Sequence, residues 1–247
     1  MALFEAVNLH KRFGSRVVLE DISLAFEAGR VSGIMGPNGA GKTTCFNVLT
    51  GRYSPDRGRI LFEGTDITGL SPDRITCLGV SRSFQIMNLF DDASVLENIA
   101  VALPEFRRQR NNFWRSALSQ PEILDAARDV LEQVGLAGRE RDRAQSLPYG
   151  DRRALEIGVA LAARPKILFL DEPTSGLGAQ ATQALARLIV RLRRRYTIVM
   201  IEHDMRFLFD LADEISVIHW GQVIASGTPA ELGANKWVRR SALGALA

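Results

Sequence analysis

Cysteine, histidine and long apolar runs are scarce in this sequence of 247 residues. Its two cysteines, Cys45 and Cys77, have neither metal-ligand spacing nor the neighbours of a catalytic thiol, so both read as small buried hydrophobes in a reducing compartment. No stretch approaches the roughly 20 apolar residues that a spanning helix needs; Ile157 to Ala163 is among the longest runs and is far too short. The opening MALFEAVNLHKRFG lacks a basic start followed by an apolar run, which argues against a secretory signal and leads us to expect a cytoplasmic chain. Charge of one sign is also missing. Lys and Arg number 31 against 28 acidic residues, a formal balance of +3, so bulk charge predicts no nucleic-acid partner. No internal repeat or low-complexity tract appears, which excludes two fused copies of one unit.

What is present is enough apolar content, 46%, to bury a substantial core. Leu3 to Leu9, Val17 to Phe26 and Val31 to Met35 are rich in apolar and β-branched residues between turn signals and read as strands. Gly41 to Leu49 reads as a helix, and Arg59 to Phe62 as a strand leaving the turn Ser54-Pro55-Asp56-Arg57-Gly58. From Gln85 to Tyr149 helical patterns take over, at Val95 to Leu103 and Pro121 to Val134, around a polar stretch from Arg107 to Gln120. A helix at Asp151 to Ala163, a continuous apolar strand at Ile167 to Leu170, a helix at Ala179 to Arg194 and a strand at Thr197 to Ile201 then follow. Such uninterrupted apolar strands belong to a parallel sheet covered on both faces. The helix at Ala179 to Arg194 carries its expected core stripe at Ala181, Ala184, Leu185, Leu188, Ile189 and Leu192.

The segment Gly36-Pro37-Asn38-Gly39-Ala40-Gly41-Lys42-Thr43, followed by Thr44, fits G-x-x-x-x-G-K-[ST] between a predicted strand and a predicted helix. Its glycines let successive backbone N–H groups face one centre, and the following helix adds its positive end, so a nucleoside triphosphate is the expected ligand. Lys42 would reach the β- and γ-phosphates and the Thr43 hydroxyl would coordinate Mg²⁺. At the end of the strand Ile167 to Leu170 stand Asp171 and Glu172. Asp171 is placed to hold Mg²⁺ through water, and Glu172 to polarise an attacking water as general base. Read alone, the two acids could equally cap the helix after Thr174-Ser175; the upstream loop favours the catalytic reading. His203 ends a third apolar strand and is expected to point at the γ-phosphate, whereas His10 and His219 lack such context.

Many P-loop proteins share those motifs, and the deciding residues are Leu147-Pro148-Tyr149-Gly150-Asp151-Arg152-Arg153, Ser83-Phe84-Gln85, Ser175-Gly176-Leu177-Gly178 and His203. In that order they resemble the signature, Q-loop, D-loop and switch histidine of ABC ATPases, over about residues 3 to 230. The resemblance implies an α/β P-loop fold with a RecA-like parallel-sheet core, an antiparallel β subdomain and an inserted α-helical subdomain. It implies one ATPase domain: 1–84 and 164–235 as the core, 85–163 as the helical part, 236–247 as a tail. It also implies that Phe13 stacks on adenine, although an aromatic there fits an ordinary core equally well. Val18 would lie beside the ribose, and Gln85 would contact Mg²⁺ or the attacking water. The signature residues Leu147, Pro148, Tyr149, Gly150 and Asp151 would complete the ATP site of a second subunit, for which the helix expected from Asp151 supplies an anion-binding end.

Two positions depart from the family pattern: Pro148 stands where a serine is usual and Gly178 where an aspartate is usual. Both serve a partner's site, so a heterodimer with unequal sites is expected. Val95-Leu96-Glu97-Asn98-Ile99, Tyr149, Leu155-Glu156-Ile157 and Ile201-Glu202-His203-Asp204-Met205 are most similar to ATP-binding subunits of branched-chain amino-acid importers. That likeness implies ATP and Mg²⁺ as ligands, two transmembrane permease subunits, a second ATPase chain, an external solute-binding protein, no nucleic acid, and a peripheral place on the inner face of the membrane. An exporter ATPase, such as one for lipopolysaccharide, and a non-transport ABC ATPase of DNA repair or ribosomes are the alternatives; the latter usually fuse two units or insert a coiled coil. A P-loop kinase or GTPase would have no use for the signature or the switch histidine. The arginines at 191, 193, 194 and 195 read as a solvated helix end. Arg107, Arg108, Arg110 and Arg115, with Phe113 and Trp114, read as an exposed basic loop, with lipid headgroups or a permease loop as the sharper reading.

Overall fold

The computed structural model describes residues 2–83, 89–108 and 120–235. Strands β1 (Ala2–Phe13) and β2 (Arg16–Glu27) pair as a hairpin around Gly14-Ser15, and β4 (Arg57–Phe62) and β5 (Thr65–Asp66) extend it into an antiparallel sheet ordered β2-β1-β4-β5. A second sheet contains β3 (Val31–Met35), β6 (Val80–Arg82), β7 (Ile167–Asp171), β8 (Thr197–Ile201), β9 (Glu214–His219) and β10 (Gln222–Gly227). Its order is β10-β9-β3-β8-β7-β6, parallel throughout except for β10, which runs antiparallel at one edge. The two expected sheet types are therefore both present.

Strands β3, β7 and β8 are buried at every position because alternate side chains enter two cores. Val31, Met35, Leu168, Leu170, Ile198 and Met200 face the helical side. Ile34, Ile167, Phe169, Val199 and Ile201 face the antiparallel sheet and α1 (Lys42–Leu49). A sheet clamped in this way leaves only its strand ends free, and the chain places its polar side chains there.

The helical side is built from α3 (Val95–Ala100), α4 (Pro104–Arg108), α5 (Pro121–Val134), α6 (Tyr149–Ala162), α7 (Ala179–Leu192) and α8 (Met205–Leu211). A capping box between Ser94 and Glu97 starts α3. Pro121 at the first turn and a left-handed Gly135 just past the end bound α5, whose Ile123, Ala127, Val130, Leu131 and Val134 form the buried stripe. Two further helices are α2 (Pro72–Leu78) and α9 (Pro229–Ala234), the latter placing Leu232 in the core of the helical side. Among the described residues no helix is long and apolar enough to cross a membrane.

Several sequence expectations need correction. Helix α6 begins at Tyr149 rather than Asp151, with Pro148 (φ −54°) at the N-cap, where its missing N–H is not called on although its side chain caps nothing. Helix α3 stops at Ala100, and Leu103 is buried from a turn beyond it. Helix α7 ends at Leu192, and its buried stripe is Leu185, Leu188, Ile189 and Leu192; Ala184 is exposed and Ala181 only half-buried. Cys45 is buried, which pushes its thiol up to about 12, but Cys77 is exposed at the end of α2. Residues 205–235, left unassigned by pattern, supply α8, β9, β10 and α9.

Phe169 joins the layers. Its ring meets Phe4 of β1 and Phe46 of α1 at 5.3 Å each, and Phe26 of β2 at 6.1 Å, all edge-on. Truncation removes the apolar contacts that seat three elements on β7. Phe169→Ala is therefore expected to lower stability by about 3–5 kcal/mol, read as a shift of the urea midpoint without a change in slope.

Candidate active site

The parallel ladder sets which strand ends are neighbours. Ile34 of β3 is registered against Ile201 of β8, and Asp171 of β7 against Ile201 from the other side. The turns that leave these three strands therefore emerge together. They carry the glycine-rich loop, the acidic pair and the histidine respectively.

The loop after β3 is shaped by what it packs on. At Gly36 (φ +154°) an added Cβ would fall 2.0 Å from the carbonyl oxygen of Ile218 on β9, so this position demands glycine. The turn after β9 closes the other side, with the Gly221 N–H donating to Ala40 O at 2.9 Å. Helix α1 then starts from Gly41 with no acidic residue in its first turn, so its positive end is not neutralised by its own sequence. Lys42 is buried, and its Nζ donates to the carbonyls of Gly36 at 2.8 Å and Pro37 at 2.9 Å. Burial holds this ammonium below its ordinary pKa, and the Glu172 carboxylate pulls it partly back.

A cleft of about 370 Å³ opens over the loop, lined by Arg16, Val18, Asn38, Gly39, Gly41, Lys42, Thr43, Thr44, Glu172 and His203. The sequence reading thus brought most of its candidates to one place. It missed Arg16, although Arg16 and Val18 stand two apart on β2 and so share a face. It also placed Phe13 at the nucleotide. The structure sets Phe13 at the end of β1, 44% exposed and edge-on to Tyr53 at 5.3 Å, outside the residues that line this cleft. Gln85 lies outside the described residues.

Glu172 takes a left-handed backbone conformation (φ +45°), uncommon for a side chain with a Cβ and typical of positions where function fixes the geometry. Its N–H donates to Ile201 O at 3.0 Å, and its Oε1 lies 2.8 Å from His203 Nε2. With Nε2 protonated, the imidazole donates to the carboxylate, orienting both groups at the mouth of the cleft. Asp171 behaves differently. It is 1% exposed, and its Oδ2 accepts from Arg82 Nη2 at 2.6 Å. Arg82 in turn donates to Asn47 Oδ1 at 2.6 Å and Thr50 Oγ1 at 3.0 Å, and its guanidinium lies over the Phe46 ring at 4.8 Å. Burial raises the Asp171 carboxyl pKa, and Arg82 opposes that rise.

Among the described residues no group of three or more His, Cys, Asp or Glu side chains could hold a metal ion by itself. The donors at hand are hard oxygens: the Thr43 hydroxyl in the cleft, and Asp171 Oδ1, buried with no hydrogen-bond partner among the described residues. Such a set suits Mg²⁺ that keeps water and phosphate oxygens as its other ligands.

The signature residues lie elsewhere. Leu147 is buried and Pro148 caps α6; Tyr149 is 45% exposed, with its hydroxyl 3.4 Å from Ser175 O; Asp151 pairs with Arg139 at 3.3 Å. Pro148, Gly150 and Asp151 line a separate hollow with Gly178, Ala181 and Arg191. At Gly150 an added Cβ would come within 3.0 Å of the Ala181 side chain, so helix α6 and helix α7 meet there at glycine distance.

A phosphate-cradling loop, a carboxylate pair and a histidine at adjacent ends of a parallel sheet define a P-loop nucleoside triphosphatase. The family model described as "ABC transporter" matches residues 19–175, and this chain belongs to that family. It is an ATPase of that type. It is 39% identical over 249 residues to the high-affinity branched-chain amino acid transport ATP-binding protein LivG of Salmonella typhimurium, covering 97% of each chain. It is also 32% identical to the lipopolysaccharide export system ATP-binding protein LptB of Haemophilus influenzae, covering 99% of this chain and 98% of that one. The crystal structure of the ADP conformation of MJ1267, an ATP-binding cassette of an ABC transporter, superposes with a TM-score of 0.87 over 99% of both chains at 28% identity.

The contact at Gly36 gives a direct check. Gly36→Ala is expected to cost more than about 2 kcal/mol of stability; if the loop moves to relieve the clash, nucleotide affinity drops by about tenfold or more instead. Urea unfolding together with titration of a fluorescent ADP analogue tests both. No change in either measurement would show that the loop does not depend on this close approach.

Proposed function

We propose that this chain powers an ABC importer for branched-chain amino acids or a related small polar solute, as one of two ATPase subunits beneath two permease subunits and fed by an external solute-binding protein. The observation that carries the enzymatic part is the 2.8 Å pairing of Glu172 with His203 at the cleft that Lys42 anchors. In this reading Glu172 polarises the attacking water, His203 and Gln85 orient it and the γ-phosphate, and Lys42 with the loop of residues 36 to 44, through its N–H groups other than at Pro37, holds the phosphates. Val18 and Phe13 flank the nucleotide's other end. When bound, Mg²⁺ held through Thr43, Gln85 and Asp171 would neutralise phosphate charge. The chain acts as a single domain, with 85–163 as its helical part.

The dimeric reading is supported by where the signature lies. Gly150 and Asp151 sit in the first turn of α6, away from this chain's own cleft, with N–H groups available to the terminal phosphate of another subunit's nucleotide. Pro148 and Gly178, the two departures from family pattern, are the N-cap residues of α6 and α7, and neither supplies a side-chain cap. Loss of both oxygens weakens the site that this chain completes, which favours an unlike partner. Two equal sites in a homodimer with full turnover would overturn that point.

Coupling to a permease is supported by a groove of about 460 Å³ between α2, β6 and α6. Its wall includes Arg52, Asp73, Glu156 and also Ser81 and Ser83, whose buried hydroxyls have no partners among the described residues. Arg82 lines the same groove while holding Asp171, so a segment docked there meets a residue that touches the site. Import over export rests on the likeness to LivG and is decided by direction. Vesicles carrying this subunit with two permease subunits of a branched-chain amino-acid importer should accumulate labelled leucine only with ATP and an external solute-binding protein; outward movement of a lipid would replace this reading with the export one.

Two variants separate capture from chemistry. Glu172→Gln should bind ATP as the wild type does but lose about 10² to 10⁴ in turnover. Lys42→Ala should instead weaken nucleotide binding itself, seen by equilibrium titration. Wild-type turnover in Glu172→Gln would remove Glu172 from the role.

A further inference from the structure

Glu202 directly precedes His203 and is 3% exposed, a buried carboxylate with no cation paired to it among the described residues. Carboxylates in such positions are costly unless donors surround them. Here they do. Oε1 accepts the Thr174 N–H at 2.8 Å, while Oε2 accepts the Thr174 hydroxyl at 2.8 Å and the His203 N–H at 3.1 Å. Thr174 lies two residues after Glu172, on the turn leaving β7, and His203 lies on the turn leaving β8. One side chain therefore binds both turns whose ends carry the Glu172–His203 contact.

We infer that Glu202 is a positioning residue that sets the approach of Glu172 to His203 by tying the turn after β7 to the turn after β8. The donor set explains why the residue is a carboxylate. At least three donors converge on two oxygens, so both oxygens must accept; an amide of the same shape offers one acceptor and turns an N–H₂ toward donors. Glu172, in its left-handed conformation, is held at its own N–H by Ile201 O, and two residues on the turn is held by Glu202. Burial opposes the charged form of Glu202, and the donors favour it.

The inference rests on the catalytic reading of Glu172, so Glu172→Gln is measured alongside. In the full chain, Glu202→Gln should lower kcat by about 10- to 100-fold while KM for ATP and the Kd of a fluorescent ATP analogue stay within about twofold, because Lys42 and its loop are untouched. Thr174→Val, which keeps shape and N–H but drops the hydroxyl, should lower kcat by about 3- to 10-fold. The double variant should fall no further than Glu202→Gln alone, since both changes break one unit. Wild-type kcat in Glu202→Gln beside an inactive Glu172→Gln would overturn this inference alone; an active Glu172→Gln would overturn the catalytic reading and this inference with it. A kcat loss matched by an equal loss of nucleotide affinity would make Glu202 merely structural and also overturn it. If Glu202→Gln does not fold, Thr174→Val decides: lowered kcat at unchanged KM supports the clamp, and unchanged kcat rejects it.

Discussion

The hydrogen-bonded ladder β3-β8-β7 is the constraint from which the site follows. Its parallel register puts Met35, Ile201 and Asp171 at one edge of the sheet, within a residue or two of the phosphate loop, His203 and Glu172. Parallel strands need crossovers, and the chain uses the crossovers on one side to build the helical core. Because alternate residues of each strand are locked into opposite cores, the strands cannot slip by one residue without turning every apolar side chain to the wrong face. The positions of the polar groups are thus inherited from apolar packing far larger than the site.

Buried charge is concentrated where those layers meet. Arg82 with Asp171, and Arg153 with Glu156 at 2.6 Å, are pairs shielded from water, and Glu202 is a lone carboxylate ringed by donors. Replacing such groups by apolar ones is often no loss to stability, so their worth lies in geometry rather than in free energy of folding. Each one spans two elements. Arg82 ties β6 to β7 and α1; Glu202 ties the two catalytic turns; Arg153 of α6 reaches the backbone oxygen of Glu172 at 3.2 Å.

How much of this was legible in the sequence depends on range. The phosphate loop, the acids after Leu170 and the strand before His203 could be read because local rules fix them: a glycine turn between strand and helix, and apolar runs ending in charge. Helix starts were less secure. The helix expected from Asp151 begins at Tyr149, two residues earlier, with Pro148 at its N-cap position. Phe13 was placed by family likeness; its ring also meets Tyr53, a contact between residues 40 apart that no local pattern reveals. Glu202 stood inside a recognised motif, yet its role required knowing that Thr174, 28 residues earlier, would face it. Arg16 was hidden for a similar reason, since its cleft is assembled from four separate segments.

Helix α6 holds the remaining step of the argument. Its first turn, Tyr149 to Asp151, points away from the chain's own nucleotide cleft, while two of its side chains point back: Tyr149 toward Ser175 O and Arg153 toward Glu172 O. In the proposed dimer, phosphate binding by that first turn would be felt at the turn carrying this chain's own Glu172, through a rigid helix no longer than 14 residues. The turn that Arg153 touches is the one Glu202 holds against His203. Coupling of this kind needs no long pathway, only one stiff element touching both sites and a clamp that keeps the receiving turn from yielding.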